Sequence, residues 1–237
     1  MAKTLKRSNL SEDAYAVVRD MLLQGKAYRP GDKVNVDELC GQLGISRTPL
    51  WAAIYRLEAE GILEVVPRRG VYLVSYDTER VLDIYLSREA LEGLTARLAA
   101  VNATDLQLAF LQRSIDRQRA ALASGEIGNY YSSALEFHEE ILRAARNRTL
   151  ERLLRSVFSQ IRIMRGQRNS IPTDLPRSCN DHEKILKALR KRDPDLAEKE
   201  ARKHIRDLAA VIRAEATPNT KSKPKAAPAH RRSIQPR

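Results

Sequence analysis

Long apolar runs are missing from this sequence. No stretch approaches the about 18 to 20 consecutive apolar residues that a bilayer-crossing helix needs, so a membrane span is not expected. The opening residues, MAKTLKRSNLSEDAY, lack the apolar core of a secretory signal, and export is not expected either. Cysteine is scarce: only Cys40 and Cys179 occur, far apart and outside any C-x-x-C pair. That excludes a disulfide framework and a thiol redox motif, and points to a reducing, cytoplasmic setting. Aromatic residues make up 5% and Trp51 is the one tryptophan. There is no H-E-x-x-H and no serine or cysteine nucleophile motif, which leaves catalysis without an evident general base or nucleophile.

What is abundant is positive charge. Forty-two Lys and Arg face 30 Asp and Glu, a formal net charge of +12. An excess of this size favours a polyanionic partner such as nucleic acid. Part of it lies in residues 216–237, where Lys221, Lys223, Lys225, Arg231, Arg232 and Arg237 stand among prolines with no acid. A segment so poor in apolar side chains cannot offset the entropy of ordering. It is expected to be a disordered basic tail, with a flexible N-terminus at residues 1–9 as its counterpart. The chain as a whole is 43% hydrophobic, enough to bury a core.

Residues 10–75 mix helices with short β-rich runs. EDAYAVVRDMLL places Ala14, Val17, Val18, Met21 and Leu22 at helical spacing. A Pro30-Gly31 turn and a short extended piece follow. The second helix runs from an Asn35 cap to Gly44, and the third restarts at Ser46, with Pro49 in its first turn and Gly61 as its stop. ILEVV and GVYLV then read as strands joined by Pro67-Arg68-Arg69-Gly70. Three helices and a two-stranded wing predict a winged helix-turn-helix. Leu50, Ile54 and Leu57 form one buried stripe of the third helix. Arg47, Thr48, Trp51 and Tyr55 then face outward, free to enter a major groove, while Arg68 and Arg69 can press on phosphates.

Residues 77–215 read almost wholly as helix, in six segments with short connections, and predict an all-α bundle. The chain is therefore expected to be mainly α, with a small β wing in its first unit. One histidine falls on each of three of the bundle's helices: His138 in EFHEEIL, His182 in DHEKIL and His204 in RKHIRDL. Three imidazoles converging in a bundle interior could bind Zn²⁺ or Ni²⁺ and leave a position open for a carboxylate. Spacing alone favours three separate hydrogen-bonded histidines.

The run RPGDKVNVDELCGQLGISRTPLWAAIYRLEAEGILEVVPRRGVYLV resembles the DNA-binding domain of the GntR family of bacterial transcription regulators, with its PG turn, SRTP helix start, RLxxEG and basic wing ending in Gly. LSREALEGLTARLAA, EFHEEILRAARNRTL, DHEKILKALRKRD and AEKEARKHI resemble the FCD domain of the FadR branch. The resemblance implies a cytoplasmic homodimer that grips a short palindromic operator in double-stranded DNA and is modulated by a small effector, usually an organic acid. It implies DNA-contacting roles for Arg47 and Thr48, and supporting or wing roles for Asp37, Ser46 and Gly70. At Trp51 the chain departs from a family arginine; an indole cannot make the two-bond contact to guanine, and losing the cation lowers the salt slope by up to about one unit. His138, His182 and His204 match the family's histidine ligands. The fourth ligand, an acid one turn before the first histidine, is here Ala134, and Glu136 lies on the wrong side of the helix to replace it. Arg88 matches a family arginine near the effector, with Arg165 and Arg177 as weaker effector-binding candidates. A metal-dependent hydrolase built on the histidines, and a nonspecific DNA-bridging protein using the tail, are the competing readings.

Overall fold

The computed structural model describes residues 10–23, 27–167 and 174–216. The two termini expected to be flexible lie outside these residues. Helix α1 (Leu10–Leu23) buries Ala14, Val18 and Leu22. A two-residue strand β1 (Lys33–Val34) leads into α2 (Val36–Leu43), whose Asn35 cap accepts hydrogen bonds from the amides of Asp37 and Glu38. Gly44 closes α2 in the left-handed conformation. Helix α3 (Arg47–Ala59) follows, then β2 (Leu63–Val66) and β3 (Gly70–Leu73). Ser46 sits at the N-cap of α3 with extended backbone, but its hydroxyl makes no capping bond, so the expected cap is positional only.

Leu50, Ile54 and Leu57 are fully buried, as their spacing demands. The sheet gains a strand beyond the predicted hairpin: β1 pairs antiparallel with β3, which also pairs with β2, Val65 opposite Val71. At the wing tip, Arg69 donates its amide to the Val66 carbonyl at 3.0 Å. Pro67 takes the second place of this turn and Arg68 the third, at φ 63°. A non-glycine residue there costs roughly 1 kcal/mol, and the guanidinium is thrown outward on a short, stiff loop.

The bundle comprises α4 (Thr78–Asn102), α5 (Asp105–Ser124), α6 (Ile127–Ala144), α7 (Arg148–Gln167), α8 (Leu175–Arg190) and α9 (Pro194–Ala216). Asp77 caps α4 and a reciprocal Thr104–Gln107 capping box opens α5. One apolar cluster runs without a break from Leu22, Ile54 and Leu57 into Tyr85 of α4, Phe158 and Ile161 of α7 and Ile205 of α9. A second joins α4, α5, α6 and α8 around Phe137, Leu111 and Ile185.

Helix α7 is the seam between the two units. The Ser156 hydroxyl and the Gln160 amide donate to the Glu60 carbonyl at the end of α3, at 2.9 and 3.0 Å. Glu60 also accepts from the Tyr15 hydroxyl at 2.7 Å, and Tyr76 donates to the Gly61 carbonyl at 3.2 Å. Gly61 has φ 70°, and a Cβ there would lie 2.8 Å from the Gln160 amide nitrogen. Gly61→Ala is expected to destabilise the protein by about 1 to 2 kcal/mol, through left-handed strain and displacement of Gln160. Chemical denaturation monitored by circular dichroism measures this, and an unchanged midpoint would refute it.

Candidate functional site

The outward face of α3 forms the first candidate site. The Arg47 side chain is 70% exposed and its guanidinium lies on Asp37, Nε 2.9 Å and Nη2 2.7 Å from Oδ1. Asp37 therefore holds the arginine in an extended pose at the head of the helix. Both groups are solvated, so this contact aims the side chain more than it stabilises the fold. Ser46, Thr48 and Tyr55 are exposed too. Trp51 is half-buried: it packs on the core and meets Tyr55 at 5.4 Å between ring centroids. The pair makes an aromatic ledge beside Arg47. Arg68 and Arg69 are exposed at the wing tip, with Gly70 half-buried behind them.

The second candidate site lies inside the bundle. His138 from α6, His182 from α8 and His204 from α9 are all buried, and their ligand atoms lie within 4.8 Å of one another. Nε2 of His182 stands 3.2 Å from Nε2 of His138 and 3.2 Å from Nε2 of His204. The opposite nitrogens look outward. His138 Nδ1 is 2.6 Å from a Glu92 oxygen, and His182 Nδ1 is 2.7 Å from the Gln118 carbonyl oxygen. Two acceptors on the outer side assign the protons to Nδ1 in both rings, leaving lone pairs on two Nε2 atoms that face each other. Lone pairs at 3.2 Å repel unless a proton or a cation lies between them. Burial pushes the His204 pKa down to about 4, so this ring is neutral at neutral pH. Its Nδ1 has no hydrogen-bond partner; the nearest Asp181 oxygen is 3.9 Å away, too far for one.

Glu92 and Arg88 explain how the site is held. Arg88 is buried, and its Nε donates to Glu92 at 2.6 Å. Burial raises the Glu92 pKa, but the Arg88 charge and the hydrogen bonds from His138 and Arg88 outweigh it and hold the carboxyl well below its usual range. One carboxylate thus ties α4 to the imidazole on α6, while Arg88 Nη1 keeps a buried proton with no partner. A narrow cavity beside the histidines is walled by Glu92, Thr95, Leu154, Phe158 and Ile185.

Several expected residues are not brought to this site. Arg177 stands exposed at the start of α8 and pairs with Asp207 at 2.5 Å, because the first turn of that helix faces away from the cavity. Glu136 pairs with Arg117 on the outer face of α6. Arg165 belongs to α7, and its side chain lies outside the described residues. Ala134 is buried and supplies no donor. Glu92 and Gln118 went unnoticed as partners of the histidines; the i, i+4 spacing of Arg88 and Glu92 was the available signal.

Residues 10–73 match the model of the bacterial regulatory proteins of the gntR family, and residues 83–207 match that of the FCD domain. This chain belongs to the GntR family, in its FCD branch. It is 35% identical over 140 residues to the Nta operon transcriptional regulator of Aminobacter aminovorans, an alignment spanning 58% of this chain and 65% of that protein. It is 27% identical over 188 residues to the HTH-type transcriptional repressor RspR of Escherichia coli, covering 78% and 81%. The Escherichia coli McbR/YncC structure shares the fold with a TM-score of 0.69 at 21% identity, over 92% of this chain and all of that one. As a GntR regulator, the protein controls transcription through its winged helix-turn-helix and carries an FCD sensor domain. No helix among the described residues is long and apolar enough to cross a membrane.

Glu92→Ala would strand Arg88 as an unpaired buried cation and free the His138 ring. A loss of about 3 kcal/mol is expected, as for a buried pair stripped of one partner. Urea denaturation at neutral pH tests it; a change under about 1 kcal/mol would show that Arg88 is not dependent on this carboxylate.

Proposed function

We propose that this regulator reads its operator with Arg47 and Thr48, assisted by the Trp51–Tyr55 ledge and the wing arginines Arg68 and Arg69, and that a metal-assisted carboxylate sensor in the bundle controls the grip. Arg47 meets bases or phosphates from the helix head; Asp37 aims it; Ser46 and Gly70 shape the loops on either side. Trp51, half-buried where the family carries arginine, contributes apolar contact to a sugar or a thymine methyl in place of two hydrogen bonds to guanine. Two copies of the winged helix related by a two-fold axis are needed for a palindromic operator. Leu86, Ala90, Leu94 and Val101 lie exposed along one face of α4, an apolar stripe that suits a second copy of this chain.

The observation that carries the sensor reading is the convergence of three buried imidazoles on one point, two of them with Nδ1 directed outward onto Glu92 and Gln118. This donor set fits a divalent ion of the Zn²⁺ or Ni²⁺ type, held by His138, His182 and His204. When bound, the ion supplies a Lewis-acidic anchor for a carboxylate. Glu92 fixes the His138 tautomer, Gln118 that of His182, and Arg88 neutralises Glu92 while keeping Nη1 for an anionic effector. With Ala134 in place of the usual acid, the site carries one negative charge fewer and binds the ion less tightly.

Two measurements test the halves separately. Against an operator selected from random DNA, Arg47→Ala is expected to lose at least about tenfold in specific affinity while keeping its salt-dependent nonspecific binding. Retained specificity in fluorescence anisotropy at matched salt would exclude Arg47 from the readout. For the sensor, elemental analysis of protein purified without chelator should find a divalent ion that His182→Ala lacks. Metal-free wild type that also fails to bind added Zn²⁺ or Ni²⁺ in calorimetry would refute the metal reading.

A further inference from the structure

Between the DNA-binding unit and the bundle runs a groove of about 1030 Å³, walled by α1 and α3 on one side and by α6 and α7 on the other. The α7 wall carries Arg148, Arg152, Arg155 and Arg162. Their spacing of four, three and seven residues puts all four on one face of the helix. Like charges one turn apart disfavour a helix, so this face is under repulsion that something must relieve. Arg155 and Arg162 are relieved by Glu151 and Glu139, at 2.5 and 2.7 Å. Arg148 and Arg152 are exposed and have no ion pair among the described residues.

The opposite wall is cationic as well. Arg19 donates from Nη2 to the Ser159 hydroxyl at 2.8 Å, while its Nε is buried without a hydrogen-bond partner, 3.9 Å from the nearest Glu60 oxygen. Arg56 lies over the Tyr15 ring, 3.6 Å from its centroid. With Arg143, seven guanidinium groups line the groove against the three carboxylates of Glu60, Glu139 and Glu151. The donors left without a full set of acceptors are Arg19 on one wall and Arg148 and Arg152 on the other.

We propose that this groove is a second ligand site, independent of the histidine cavity, and that it takes a small polyanion with two or more clustered phosphate or carboxylate groups. Guanidinium forks match both groups in pairs of hydrogen bonds, and only a multiply charged ligand answers arginines on two walls at once. Operator DNA is not the occupant: the groove adjoins Arg56 and Glu60 at the far end of α3, about 13 to 20 Å along the axis from Arg47. The two cavities share a wall, the buried ring of Phe158, and are otherwise lined by different residues apart from that ring. An anion bridging Arg19 and Arg56 to Arg148 and Arg152 would fasten α1 and α3 to α7, and so restrict the angle at which the winged helix is presented.

The test is calorimetric titration of the full chain with inorganic tripolyphosphate, and in a second arm with citrate, at constant ionic strength. A saturable site that persists in His182→Ala is expected below about 1 mM, and it is weakened at least about tenfold in Arg148→Ala/Arg152→Ala. The tighter of the two probes assigns phosphate or carboxylate chemistry. Both replaced arginines are exposed and unpaired, so the double variant keeps its fold, which circular dichroism checks. Absence of saturable binding, equal affinity in the double variant, or loss of binding in His182→Ala would each overturn the proposal.

Discussion

A carboxylate sealed inside a helical bundle is costly unless cations and hydrogen bonds meet both of its oxygens, and the sensor half of this protein is arranged around one that is so met. Glu92 is gripped by Arg88 one turn earlier on its own helix and by His138 on α6. The arrangement fixes three things together: the packing of α4 on α6, the tautomer of His138, and the charge state of the interior. From the fixed tautomer follows the inward lone pair, and from that the ability of three imidazoles to act as one donor set.

The DNA-binding half depends on a simpler constraint. The apolar stripe of α3 has one place to go, and its burial turns Arg47, Thr48 and Tyr55 to solvent. Because helical spacing alone dictates this, the outward face of α3 was legible in the sequence, as were the wing and the six helices of the bundle. The convergence of the histidines was legible only through resemblance, since each sits on a different helix and periodicity says nothing about which helices meet. Arg177, a weaker effector candidate, stands exposed at the first turn of α8 and is taken up by Asp207. The third strand, two residues long, was below what alternation can reveal.

The two halves are not independent bodies joined by a string. Their apolar interiors merge along α7, which sends Leu154 and Phe158 toward the histidines and Ser156 and Gln160 toward the end of α3. A ligand that prefers one placement of α7 over another acts on both sites through the same rigid element, which is the physical requirement for coupling.

The grip on α3 is made through a main-chain oxygen. Ser156 and Gln160 both bond the carbonyl of residue 60, an atom every amino acid possesses. Mutation at that position over evolutionary time can rewire the link to Tyr15 without touching the tether to the sensor. The tether to α7 is therefore indifferent to side-chain identity at residue 60, whereas the bond to Tyr15 is not.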